Sequence, residues 1–411
     1  MIKQKHSDRR VPVVLSLIAL LFILFTGCEK DEDAPPGHIV KNTTWSGQVV
    51  LTGDVIVEKG VTLTVEPGTT VIVTADQDDT GLSHLGEVDD LTTNDPTADP
   101  AAGGVEYQQS HISIVVNGTI ICEGTADNPI IFRSSKPVPH YTDWTGITVN
   151  NGVFKYTTVE WCLDGIYSIE NCERMIVDHC QVRHIWAAGV GFSQPLNTSV
   201  EAYIRHSTIE DCGHEAIDTH SPGTIEMAYN LIKDSQVGFN LHDNITANIH
   251  HNIVLNTTFP VICINSSDVF VTQCVLNAQI QDNTRWTYSG WTMPQFQDPA
   301  AVFVTNSTQS HVIVTNSIIF DSPTGLKNDA PEGSLGCGYL NMDNVTVAFA
   351  TNAIQGAGCL NVSSGFVNKD NLDFHLQANS LCKGAGNPED GSPDLGAYGG
   401  SNAETVIGYS N

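Results

Sequence analysis

Four polar residues recur at one interval: Asp218 and His220 stand 22 residues before Asn240 and His242. His214, Glu215 and Asp243 flank them. Three chemistries fit this set. A histidine titrating near neutrality could abstract the proton α to a uronate carboxyl, with a partner group supplying the acid. Asp218, Asp243 and Glu215 could share glycoside hydrolysis, which needs two carboxyl groups. Two imidazoles with a carboxylate could hold a transition metal. A solvated strand face would carry the same residue types and needs no chemistry. Asp218, His220 and His242 are thus the catalytic candidates, with Glu215, Asn240 and Asp243 as substrate contacts.

Whether these side chains meet depends on the elements beneath them. Successive segments align as Ile166-Tyr-Ser-Ile169, Val190-Gly-Phe-Ser193, Ile217-Asp-Thr-His220, Phe239-Asn-Leu-His242 and Ile262-Cys-Ile-Asn265. Strand alternation turns Ile217, Thr219, Phe239 and Leu241 inward and Asp218, His220, Asn240 and His242 outward. The expectation is a solvent-facing strip on adjacent strands, in a groove walled by an insertion, with the histidines one strand spacing apart. A one-residue slip would bury Asp218 and His220, so the apolar partners pin the register.

The segments belong to a longer repeat. Met175-Ile-Val-Asp-His-Cys180, Tyr203-Ile-Arg-His-Ser207, Ile225-Glu-Met-Ala-Tyr-Asn230, Ala247-Asn-Ile-His-His-Asn252 and Val269-Phe-Val-Thr-Gln-Cys274 place a small or amide residue after each β-branched run. The spacings between those residues are 27, 23, 22 and 22. A parallel β-helix requires this, because each coil stacks on the last and like residues at inward turns form ladders. Amides in the column hydrogen-bond to one another, and Cys or Ser fills the same small site. Cys180 and Cys274 therefore read as packed thiols. The cysteines after Cys28 show neither CxxC pairs nor zinc spacing, although an exported chain could carry disulfides.

A neighbouring column, His179, His206, Tyr229, His251 and Gln273, lies beside Arg205 and His250 and reads as a solvated rim. Arg205 is one of few bases near the patch, and none shares its column. A uronate lyase needs a cation to neutralise the substrate carboxylate, so this scarcity weighs against assigning one outright. Two insertions interrupt the repeat. Residues 76–104 hold Asp76, Asp78, Asp79, Glu87, Asp89, Asp90, Asp95 and Asp99. Such oxygen density could bind Ca²⁺ at Asp76, Asp78 and Asp79, but the EF-hand order is missing and an acidic loop is the competing reading. Residues 279–300 hold Trp286, Tyr288, Trp291 and Phe296; Trp286 and Trp291 could stack on sugar rings or pin the loop to the helix.

The 411 residues carry 18 Lys+Arg against 46 Asp+Glu, a net charge of −28, which excludes nucleic acid as a partner. At the N-terminus, Lys3, Lys5, Arg9 and Arg10 precede the apolar run Val11–Phe25, too short for a membrane span. The run ends in Phe25-Thr26-Gly27-Cys28, which resembles a bacterial lipobox and implies lipidation at Cys28. Glu29-Lys30-Asp31-Glu32-Asp33 then resembles a surface-export signal of Bacteroidetes lipoproteins, and a solvated tether reads the same way. Residues 1–27 are expected to be a signal peptide and 28–40 an acidic tether.

Both ends of the repeat carry a likeness. Thr43-Thr-Trp-Ser-Gly47, Val61-Thr-Leu-Thr-Val-Glu-Pro-Gly68 and Gly118-Thr-Ile-Ile-Cys-Glu-Gly-Thr-Ala-Asp-Asn-Pro-Ile-Ile-Phe132 resemble the N-terminal coils of bacterial right-handed β-helix proteins of the pectate-lyase-like superfold. Phe374-His-Leu-Gln to Asp394-Leu-Gly-Ala-Tyr-Gly-Gly400 resembles their closing segment. The likeness implies an all-β chain: one right-handed parallel β-helix over 41–400 with loop insertions, a tail at 401–411, about 11–13 coils, and caps at Trp45 and Tyr398. It is specific for fold and poorly specific for function. With the lipobox at Cys28, the expectation is a monomeric, lipid-anchored outer-membrane protein on the cell surface that binds polysaccharide along the solenoid groove. The alternative is a polysaccharide lyase, epimerase or glycoside hydrolase. No cofactor is firmly implied beyond the calcium option.

Overall fold

The computed structural model describes residues 36–82, 91–92, 105–168, 172–192, 201–220, 223–265, 267–281, 287–288, 298–305, 309–330, 334–391, 393–400 and 407–408. Runs of β-branched residues, broken by small residues and left-handed turns, form short strands that pair in parallel with the coil before and the coil after. The strands fall into a 22-stranded and an 11-stranded parallel sheet. The larger sheet folds into two walls and the smaller makes the third. Ser113–Glu123 and Gly146–Lys155 are long enough to run along both walls of the larger sheet. The solenoid starts at Gly37–Ile39, slightly before the expected boundary, and its last coil is Val347–Thr351 with Ile354–Gln355. Among the described residues the only α-helix is the single turn Val105–Gln108.

The interior is a continuous stack of Val, Ile, Leu, Phe and Cys, nearly all fully buried. Ladders run through it as expected. Asn252 Oδ1 accepts from Asn230 N at 2.9 Å and from Asn230 Nδ2 at 3.0 Å. Asn230 Oδ1 accepts from Ser207 N, and Ser207 Oγ from Cys180 N. Cys180 and Cys274 are buried free thiols in the same column, pushed up to about 12 by burial. All ten described cysteines are free, so no disulfide joins them.

The column read as a solvated rim is a stack of rings. Tyr156, His179, His206, Tyr229 and His251 follow one another at centroid distances of 4.7, 4.7, 4.9 and 4.9 Å. Each takes a positive φ, between 47° and 58°, where the second wall turns into the third. That conformation costs energy in a non-glycine residue. Here it buys a ring-on-ring contact at the coil spacing, which offsets the strain.

Trp45 lies in the first coil, buried in the core, as a cap there should. Tyr398 closes no end. It stacks on His375 at 3.7 Å, within a segment that runs back along the flank of the helix. Gly396 N donates to Asn316 O, Gln273 Nε2 to Asp394 O, and Gly408 N to Tyr229 O. The last coil keeps exposed apolar residues, with Ile354 at 62 %. The closing motif was legible as a segment, but its direction depends on contacts far apart in sequence, 121 residues for Gln273 and Asp394.

Candidate functional site

Three consecutive strands of the first wall carry the polar set. In Val190–Phe192, Glu215–Thr219 and Val237–Leu241 the register places Gly191 beside Asp218 and Asp218 beside Asn240, with Ile217 opposite Phe239 and Thr219 opposite Leu241. Ile217, Phe239 and Leu241 enter the core, so Asp218 and Asn240 point out of the solenoid. His220 and His242 follow on the same side and stack, with ring centroids 4.4 Å apart.

The strip differs from the sequence expectation in its exposure. Glu215, Asp218, Asn240 and His242 are all buried, and only His220 opens to solvent, its side chain 45 % exposed. The reason is that this stretch of wall is covered on its outer face too. Every residue of Glu215–Thr219, Val237–Leu241, Phe259–Ile264 and Ala300–Thr305 is buried. Val237, Phe259, Ile262, Ile264, Ala300 and Phe303 make an apolar layer outside the main core, adjoining the polar set.

Contacts within the set are close. Tyr167 donates its hydroxyl to Asp218 Oδ2 at 2.5 Å, and His220 Nε2 approaches the same oxygen at 3.0 Å. Asn240 Nδ2 donates to Asp218 Oδ1 at 3.1 Å and to Glu215 Oε1 at 3.0 Å. His214 Nδ1 lies 2.5 Å from Glu215 Oε1. Tyr167 stands two coils from Asp218 and reaches it across Gly191. A Cβ at Gly191 would sit 1.9 Å from the Tyr167 ring, so only glycine leaves that path open.

Proton affinities diverge accordingly. Burial raises the Asp218 carboxyl, but the His220 charge and hydrogen bond, His242 and the Tyr167 hydroxyl outweigh it and hold it at about 2. The Asp218 charge lifts His220 to about 9 against the effect of burial. Burial lowers His242 to about 4. Burial raises Glu215, and raises Tyr167 well above its ordinary value. At neutral pH the set therefore holds a carboxylate, an imidazolium and a neutral imidazole side by side. Asp218, His220 and His242 also offer three ligand atoms within 4.8 Å of one another, the only such group among the described residues.

The other candidates fall elsewhere. Asp243 sits on the rim, where its Oδ1 accepts from Asn265 Nδ2 at 3.2 Å, and its charge favours the protonated form of both histidines. Arg205 does not join the site. It lies on the second wall, paired with Glu226 and set over the Tyr203 ring. Asp76, Asp78 and Asp79 do not converge. Asp76 pairs with Lys136, Asp78 accepts from the backbone N–H groups of Asp54, Thr80 and Gly81, and Asp79 accepts from Gln77. Among the described residues these three carboxylates gather into no group of three ligand atoms. Trp286, Trp291 and Cys28 lie outside the described residues. The two insertions do meet, through antiparallel pairing of Thr287 and Tyr288 with Thr92 and Leu91.

Sequence reasoning missed Tyr167, Gly191 and the apolar layer. The layer had a signal: Phe259-Pro-Val-Ile-Cys-Ile264 is apolar at both parities, which marks a strand buried on both faces.

Residues 37–153 match the family model of a pectate-lyase-like beta helix domain, and residues 141–285 that of a right-handed beta helix region. No curated protein and no solved structure matches the chain. The pectate-lyase-like β-helix supports carbohydrate-related function in general. The second match spans every residue of the polar set, and with the parallel walls described above it fixes the fold: the chain is a right-handed parallel β-helix whose N-terminal coils match a pectate-lyase-like beta helix domain.

Proposed function

We propose that the protein binds a polysaccharide on the outer face of the first wall, with His220 at the mouth of the site and Asp218, Asn240 and His242 behind it. The observation that carries this reading is the burial of Glu215, Asp218, Asn240 and His242 outside the hydrophobic core. Burying such groups is costly, and the solenoid gains nothing by it that apolar side chains would not supply better. A fold of carbohydrate-related function supports a glycan, and the net charge of −28 favours a neutral one over a polyanion.

A second reading, turnover of that glycan by a lyase, epimerase or glycoside hydrolase, draws on a separate observation. Glu215 and Asp218 share one amide donor, yet burial raises the first while neighbouring charge lowers the second. Two carboxyls pushed apart in this way suit an acid and a base. Lipidation at Cys28 would hold the site at a membrane surface, and Cys28→Ser is then expected to move the protein to the soluble fraction. Fractionation unchanged from the parent would sink the anchor.

The purified chain is screened against neutral and uronate-bearing polysaccharides, for binding by affinity electrophoresis and for product by reducing-end release. Retention by a neutral polymer without product is expected, and loss of retention in His220→Ala. Product that vanishes in Asp218→Asn would replace binding with turnover. Neither retention nor product on any polymer overturns both.

A further inference from the structure

We propose that Asp218, His220 and His242 form a binding site for one divalent transition-metal ion. An ion pair between Asp218 and His220 needs only one imidazole, and the structure supplies two. His242 is 4 % exposed and lies with its ring 4.4 Å from that of His220. Its ligand atom and those of Asp218 and His220 fall within 4.8 Å, a span that small side-chain rotations close to metal-ligand distance.

The carboxylate is oriented as a ligand would be. Tyr167 fixes one oxygen of Asp218 and Asn240 the other, while Asn240 Oδ1 is buried with no hydrogen-bond partner. Outer hydrogen bonds of this kind set the direction and basicity of metal ligands. Two nitrogens and one oxygen favour Zn²⁺, Co²⁺ or Ni²⁺ over Ca²⁺, which prefers all-oxygen sites. Three protein ligands leave at least one position for water or a sugar oxygen. The net charge of −28 favours any cation. This inference shares its residues with the glycan site but rests on their geometry alone.

Full-length protein is stripped with a chelator, desalted and titrated with Co²⁺ as the probe. Visible ligand-field absorption should saturate at one ion per chain, vanish on addition of one equivalent of Zn²⁺, and persist in excess Ca²⁺. His220→Gln, at a half-exposed position that the fold does not need, should weaken Co²⁺ binding by more than about a hundredfold, and Tyr167→Phe by about ten- to a hundredfold. His38→Gln, remote and exposed, should leave it unchanged. Absence of saturable absorption, or equal absorption in His220→Gln, overturns the site. Polysaccharide retention measured with and without chelator on the same samples separates the two readings: an ion bound with no glycan retained sinks only the function, and glycan retained with no ion bound sinks only the metal.

Discussion

Tyr167 shows how one residue type is set by another two coils away. Its hydroxyl reaches Asp218 because the intervening coil presents Gly191 at that point in the wall. Gly191→Ala should therefore cost about 1–3 kcal/mol, as overpacking does, read by urea denaturation. In a Tyr167→Ala background the same change should cost much less, because the ring it strikes is gone. Equal costs in the two backgrounds would show that the ring does not set the residue at 191. The pairing of Asp218 with Asn240 was legible in the sequence because two equal spacings and alternation fix register. The reach of Tyr167 was not, since it depends on a side-chain path that no periodicity encodes.

At the scale of the strand and turn, the ladders and the walls were legible and the covering of the first wall was not. Cys180, Ser207, Asn230 and Asn252 were readable as a column because every member obeys one rule, a small or amide group at an inward turn. The burial of Asp218 and His242 comes from whatever lies over the outer face, and only the double-apolar strand Phe259–Ile264 hinted at it. Arg205 was misplaced because adjacency in sequence does not put a residue on the same wall. The ladder makes its own forecast. Asn252 accepts from Asn230 and donates to the carbonyls of Met227 and His250. Asn252→Ala leaves several buried groups unpaired, at about 1–3 kcal/mol each. Thermal or denaturant unfolding should show a loss of several kcal/mol, and Asn252→Ser, which mimics Ser207 in the column, should lose less. Equal losses would mean that volume rather than hydrogen bonding holds the column.

For the molecule as a whole, the segment that runs back along the flank ties the C-terminal end to the middle of the solenoid. His251 Nε2 lies 3.2 Å from Gly399 O at this seam, with His250 and Tyr229 beside it. Burial, then the His250 charge, lowers His251 to about 4 although the Gly399 carbonyl opposes them. The ordinary imidazole value is about 6.5, so the unfolded chain takes up a proton that the folded chain refuses. This contribution to stability is whole above about pH 6.5 and declines as the pH falls toward 4. His242 adds a similar decline, so the comparison is with His251→Gln, whose stability should fall less steeply over that window. Parallel pH profiles for the two proteins would remove His251 from the account.

The buried sulfurs have a kinetic consequence. A disulfide forms or exchanges only through a thiolate, and a thiol held at about 12 is ionised in about one molecule in 100 000 at pH 7. Burial raises Cys122, Cys162, Cys172, Cys263 and Cys382 in the same sense. Once folded, the solenoid is inert to oxidants that would scramble the same sulfurs in the open chain. Cys359 is the exception: its sulfur lies 3.5 Å from that of Cys337, whose hydrogen bond lowers it, and it is only partly buried. A brief pulse of iodoacetamide on the native protein should mark Cys359 first, while the same pulse in urea marks every sulfur, so that alkylation counts the folded molecules in a mixture.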